Sequence, residues 1–294
     1  MYLSSPIFKI LNGYLPAMTL LTFTLILLAG ALCAGFLGSL TGLGGGVVLI
    51  PLLTLGLGVD IRYAIGTSLI ASIATSSGAA AAYIREGITN VRIGMFLEIA
   101  TTTGALVGAL IAVFIPTNVV AVIFGVVLLF SAIMGLRKKA DHIVASQQGL
   151  GAKLKLNGTY PTPQGDVAYG VKNVIGGYGI MTFAGILSGI LGIGSGAVKV
   201  LAMDIAMHIP FKVSTTTSNF MVGVTTAAGA VVYLQRGYIQ PGLALPAIVG
   251  VLIGSIIGAK VLMKVNVKWL RIVFSVLIGF MAIEMLYNGI MKNI

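Results

Sequence analysis

GFLGSLTGLGGGVVLIP, running from Gly35 to Pro51, returns as GILSGILGIGSGAVKVL from Gly185 to Leu201. Gly35, Gly42, Gly44 and Gly46 fall on Gly185, Gly192, Gly194 and Gly196, a constant offset of 150 residues. The same offset carries Thr67 and Ser68 onto Thr217 and Ser218, and Thr75 and Ser76 onto Thr225 and Thr226. It also carries Tyr83 and Gly87 onto Tyr233 and Gly237, and Gly104 and Gly108 onto Gly254 and Gly258. Apolar bias does not generate shared hydroxyls and tyrosines, so the chain reads as two copies of one unit.

The rest of the chain says where that unit resides. Of 294 residues, 57% are hydrophobic and 9% charged, against about a quarter charged in ordinary soluble domains. A soluble enzyme, a disordered chain and a disulfide-built module are excluded. What remains is an all-α, multi-spanning protein whose partner is the lipid bilayer. The net charge of +11 comes from Lys and Arg flanking apolar runs, a pattern of membrane topology rather than of nucleic-acid binding. Cys33 sits in an apolar run and is expected to pack as a small apolar residue. One Cys and two His (His142 and His208) leave no metal site of the Cys/His kind, and neither glycine cluster fits a nucleotide motif, so no cofactor is implied.

Five apolar segments per half are expected, at 17–41, 47–58, 63–84, 92–114 and 118–136, then 174–191, 197–208, 213–234, 241–263 and 269–288. A crossing needs about 20 helical residues, so the second segment of each half is short. It follows the glycines directly, and each cluster is therefore expected to be an unwound break at membrane depth, enclosed by protein or water. The domain reading is a first repeat over 1–136, a basic linker over 137–172 and a second repeat over 173–294. The linker holds six basic and two acidic residues, which places it in the cytoplasm. With ten crossings, twelve Lys and Arg lie on the linker's side and four on the other. An odd number of segments per half makes the repeats inverted, a recurrent build of secondary transporters. Eight crossings, with the short segments re-entering, remain the alternative.

The paired breaks carry the site hypothesis. Gly42, Gly44, Gly45 and Gly46 in one half, and Gly192, Gly194, Ser195 and Gly196 in the other, precede helix starts whose unpaired N–H groups favour an anion. The bland alternative is close helix packing. Lys199 follows the second cluster, and burying it costs about 3 kcal/mol on insertion scales. It either serves a bound anion, pairs with Asp204 or reaches the interface. The hydroxyl-rich third segments add Thr67, Ser68, Thr217, Ser218 and Asn219 as candidates to line a polar path, the alternative being bonds to their own helix carbonyls. Glu98, inside an apolar segment, is the candidate for proton coupling, while Glu284 is expected to snorkel. The GxxxG pairs at Gly104/Gly108 and Gly254/Gly258 are expected to pack helices. Ser195 with His208 is the one nucleophile–base pairing an intramembrane enzyme would have.

The two motifs, GLGGGVVLIP and GIGSGAVKV, each followed by a hydroxyl-rich helix, resemble the sulfite exporter TauE/SafE family. The resemblance implies a non-enzymatic plasma-membrane protein that moves a small sulfur-containing anion, such as sulfite, thiosulfate or an organosulfonate, often outward. It carries over to Gly42, Gly44, Gly45, Gly46, Gly192, Gly194 and Gly196. Ser195 departs from the GGG form, and Leu201 stands where the first motif has Pro51. An anion channel stays open as an alternative, as does self-association into a homodimer.

Overall fold

The computed structural model describes residues 19–136, 149–162, 165–262 and 267–291. His142 and much of the linker therefore lie outside the described residues. In the first half, α1 (Leu20–Thr41) stops at the first glycine cluster. Next come α2 (Gly46–Pro51), which runs on as a π-helical turn (Leu52–Gly56), then α3 (Ile61–Arg85), α4 (Val91–Ala112) and α5 (Thr117–Leu136). After the short α6 (Leu150–Lys153) and a hairpin of β1 (Gly158–Thr162) and β2 (Gly165–Tyr169), the pattern resumes. It continues with α7 (Val174–Leu191), α8 (Gly196–Leu201) with its own π-helical turn (Ala202–Ala206), α9 (Phe211–Gln235), α10 (Pro241–Leu262) and α11 (Val267–Ile290). The starts of α2, α3, α4 and α5 each fall 150 residues before those of α8, α9, α10 and α11.

Six helices among the described residues are long and apolar enough to cross a membrane: α1, α3, α4, α7, α9 and α10. Their outward faces carry large apolar side chains, such as Leu21, Met95, Leu110, Ile175, Phe183 and Leu245. Water would not tolerate so much exposed apolar surface; the hydrocarbon of a bilayer covers it. The chain is a multi-pass, mostly helical membrane protein. The short pieces, eleven residues with their π turns, reach only about 16 Å at 1.5 Å per residue.

The small residues decide how the long helices meet. A Cβ on Gly250, Gly254 or Gly258 of α10 would strike Leu28, Leu32 or Phe36 of α1, in rising order along both, so these helices run parallel with backbones in contact. A Cβ on Gly104 or Gly108 of α4 would strike Thr182 or Ile186 of α7, again parallel. Both GxxxG pairs thus pack helices, as expected. Equivalent helices meet the other way round. The Asn90 amide donates to Thr217 Oγ1 at 3.1 Å, and the Ser76 hydroxyl donates to the Asn219 carbonyl. At the opposite end the Arg62 guanidinium lies 5.8 Å from the Tyr238 ring centre. The end of α3 therefore lies beside the start of α9, and the two are antiparallel. So are α5 and α11, where a Cβ on Gly125 would meet Leu286 and one on Gly289 would meet Val122.

The hairpin lies within the stretch that the sequence analysis read only as a basic linker, 137–172. Pro161 and the glycines Gly158 and Gly165 suggested irregular backbone, yet Gly158–Thr162 pairs with Gly165–Tyr169 in antiparallel register. Tyr169 anchors it: the Asn90 side-chain amide donates to the Tyr169 hydroxyl at 2.8 Å and to the Leu156 carbonyl at 2.9 Å. Burial pushes the Tyr169 hydroxyl up to about 12, the bond from Asn90 partly opposing it, so this anchor stays protonated at any physiological pH. Cys33 also departs from expectation. It is exposed, because α1 turns that face outward while its small residues Ala31, Ala34 and Gly35 face the protein.

Candidate functional site

Both glycine clusters break the helix in the same way. Gly42 ends α1 in the left-handed region, at φ 76°, and Gly192 ends α7 at φ 68°. Each amide bonds back to the carbonyl four residues earlier, Gly38 and Ser188 respectively. A side chain would be strained at these two positions. Each chain then turns within a few residues and restarts as a short helix whose first N–H groups have no carbonyl in their own helix.

The two breaks lie against each other, fully buried. A Cβ on Gly196 would collide with the Gly42 carbonyl and Leu43, and one on Gly46 with Ser68 and the Gly192 carbonyl. Two serines lock the contact reciprocally. Ser68 donates to the Gly192 carbonyl at 2.8 Å, and Ser218 donates to the Gly42 carbonyl at 2.8 Å. Tyr83 donates to the Ser39 carbonyl at 2.9 Å, and the equivalent Tyr233 reaches the Gly189 carbonyl at 3.4 Å. Carbonyls freed by the breaks are thus held by side chains, as backbone at this depth requires. Replacing Ser68 or Ser218 with Ala is expected to lower stability by about 1 kcal/mol each. A melting curve of the purified protein reads this, and an unchanged midpoint for both would contradict it.

Several buried polar atoms around the breaks have no hydrogen-bond partner: Ser72 Oγ, Ser195 Oγ, Thr67 Oγ1, Thr215 Oγ1 and Asn219 Oδ1. Ser72 points at the Gly44–Gly46 turn, and Ser195 belongs to the other turn, in the left-handed region at φ 46°. Unsatisfied buried hydroxyls are costly, and a polar solute between the turns would satisfy them. Asn219 uses its amide on the Ser39 carbonyl at 2.8 Å. Thr217 is turned elsewhere, its hydroxyl taken by the Asn90 amide.

Lys199 is completely buried. It does not snorkel: its ammonium donates to Thr225 Oγ1. Thr225 in turn donates to Glu98 Oε1 at 2.6 Å, and Thr102 donates to the same oxygen at 3.0 Å. Glu98 Oε2 is buried without a partner. Lys199 on α8, Thr225 on α9 and Glu98 on α4 therefore form one charged chain beside the second break. Glu284 sits half-buried at the rim of a separate, apolar cleft of about 400 Å³ lined by Gly30, Cys33, Val48 and Phe280. Because Ser195 Oγ has no hydrogen-bond partner, His208 does not engage it, and the nucleophile–base pairing is not formed.

Two features escaped the sequence reading. Ser72 has Val222 as its counterpart, so the repeat gave no reason to single it out. Thr225 was one hydroxyl among many; its link to Glu98 spans 127 residues, and no local pattern marks it.

The family model for the sulfite exporter TauE/SafE matches residues 27–285. The chain belongs to the sulfite exporter TauE/SafE family. The probable membrane transporter protein YunE of Bacillus subtilis is 28% identical over 278 residues, covering 92% of this chain and 99% of its own. A second protein of that species, probable membrane transporter protein YdhB, is 29% identical over 226 residues, 77% of this chain and 83% of its own. A probable membrane transporter protein of Methanocaldococcus jannaschii is 26% identical over 282 residues, 91% and 96% of the two chains. No solved structure matches this TauE/SafE member.

Proposed function

We propose that the protein is a secondary transporter, and in direction an exporter, of a small sulfur-containing anion such as sulfite, thiosulfate or an organosulfonate. One observation carries this reading: two helix breaks from different halves meet in the buried centre, beside a buried lysine and a set of unpartnered hydroxyls. The amides of Gly44, Gly45, Gly46, Gly194, Ser195 and Gly196, with Lys199 and Ser72, would hold the anion, and Ser68 and Ser218 would join them once the breaks part and release their hydroxyls from the Gly192 and Gly42 carbonyls. The close contact of the breaks suits a closed state, which opens to either side as one set of helices rocks against the other. The test is flux into liposomes of sulfite, thiosulfate and sulfoacetate. Saturable counterflow of at least one is expected. Equal flux in empty and protein-loaded vesicles for all three would overturn the substrate class, and flux without saturation would favour a channel.

The antiparallel pairing of α3 with α9 and of α5 with α11 supports inverted repeats, residues 1–136 and 173–294, with ten membrane segments. Parallel repeats with eight crossings would set Arg62 and Tyr238 on opposite sides, whereas they stack. On this reading the end that holds Asn90, the hairpin, Lys153, Lys155 and Lys212 is the cytoplasmic one, in the plasma membrane, as excess positive charge favours. Exposed Glu86 and Arg236 then lie on opposite sides. With Cys33 replaced by Ala, Glu86→Cys should label only from the cytoplasm and Arg236→Cys only from outside. Labelling of both from one side would overturn the inverted arrangement.

A further inference from the structure

The Lys199–Thr225–Glu98 chain has no equivalent in the other half. The positions 150 residues away are Leu49, Thr75 and Ile248. The threonine is kept, but the apolar pair replaces both charges. Both threonines reach the carbonyl four residues back in their own helix, Thr75 that of Ala71 at 3.0 Å and Thr225 that of Met221 at 3.1 Å, the ordinary fate of a helical threonine; Thr225 alone of the two also touches the charged pair. Packing of the breaks therefore does not require charge at this place, since the apolar half packs without it. The charges are an addition to one half, beside the break whose turn contains Ser195.

Around Glu98 the titratable groups on each packed element are few. α7 contributes Tyr178, α9 contributes Lys212 near its start, and the α8 segment contributes Lys199, Asp204 and, just after it, His208. Of these, Lys199 reaches Glu98 through the Thr225 hydroxyl. Thr225 has one proton to give; Glu98 Oε1 at 2.6 Å is nearer to it than the Met221 carbonyl at 3.1 Å and takes it, while its lone pairs receive Lys199. The carboxylate neutralises the ammonium through a single hydroxyl, leaving Oε2 buried and unpartnered.

We propose that Glu98 is a proton carrier obligatorily linked to the anion: when an anion takes over Lys199, Glu98 loses its counter-charge and takes up a proton, on Oε2. This rests on the anion reading above and adds to it the coupling ion, the stoichiometry and the residue pair. In the empty protein Lys199 and Glu98 cancel each other. In the loaded protein the anion and Lys199 cancel, and an unpaired carboxylate left in this enclosure would be strongly disfavoured. Protonation removes its charge. The site then holds one excess proton for each anion and remains neutral towards a monovalent solute. Thr225, freed of the ammonium, still donates to Oε1. Anion and proton then cross together, so net export runs where the outward anion gradient exceeds the inward proton gradient.

The experiment is equilibrium binding of two monovalent organosulfonates, methanesulfonate and ethanesulfonate, to the purified full-length protein, measured from pH 6 to pH 8. Neither probe titrates in this range, unlike sulfite. Calorimetry in two buffers of different ionisation enthalpy counts protons. Wild type should take up about one proton per anion, and its affinity should fall about tenfold per pH unit as pH rises. Glu98→Gln, made together with Lys199→Arg so that the buried cation cannot itself lose and regain a proton, should bind with no proton uptake and with an affinity that does not change with pH. The same lack of pH dependence is expected of Glu98→Met, again with Lys199→Arg, should the amide perturb folding, and melting curves verify both variants. Wild-type binding without proton uptake, or uptake that survives in either variant, overturns the coupling alone. Failure of wild type to bind either probe overturns the anion reading and the coupling with it.

Discussion

Gly196→Ala is expected to abolish transport, and to destabilise the protein, while Gly179→Ala does neither. The two residues differ in what surrounds them. A methyl group on Gly196 would enter the Gly42 carbonyl and the Leu43 backbone, groups that cannot swing aside. On Gly179 of α7 it would meet nothing within 4 Å. Overpacking a tight interior costs about 1–3 kcal/mol even when side chains can adjust, and here the obstruction is main chain. The breaks would be forced apart and the reciprocal bonds from Ser68 and Ser218 would lengthen. Counterflow in liposomes and a melting curve measure both effects. A Gly196→Ala protein that melts and transports like wild type would show that the breaks need not touch.

Lys199→Met is expected to be more harmful than the combined variant Lys199→Met with Glu98→Gln. Removing one member of a buried pair strands the other charge, at about 3–5 kcal/mol, whereas removing both charges is often nearly neutral. Lys199 is fully enclosed and Glu98 nearly so, so water cannot rescue the stranded carboxylate. The single variant should lose several degrees of thermal stability, and the second change should restore more than half of that loss. Both proteins should lose anion transport, because each lacks the ammonium. Equal melting points for the single variant and wild type would mean that Glu98 has other means of compensation.

Much of the scaffold was legible before any coordinates. Segment limits came within a few residues because apolar runs of membrane length, bounded by Gly, Pro and charged residues, admit little else. The glycine clusters were legible as breaks because a short apolar segment follows each one. How the halves face each other was not legible. Positive charges favoured ten crossings only modestly, while the stacking of Arg62 on Tyr238 is a relation between residues far apart in sequence. The site was half legible. Lys199 stood out because a lone lysine in an apolar run is expensive, and Glu98 for the same reason. Their junction through Thr225 depends on how α4, α8 and α9 converge, which no periodicity encodes. The hairpin at 158–169 was missed because Pro161 and flanking glycines look like irregular backbone, although alternate residues of β1 are half-buried.

Cryo-electron microscopy of the protein equilibrated with saturating thiosulfate addresses the site itself. The account predicts non-protein density between the two breaks, within hydrogen-bonding distance of Lys199 Nζ and of amides in Gly194–Gly196, with the Lys199–Thr225 bond broken. Density confined to the apolar cleft beside Cys33, or breaks that stay in contact with Lys199 still bonded to Thr225 while the protein demonstrably transports thiosulfate, would contradict it.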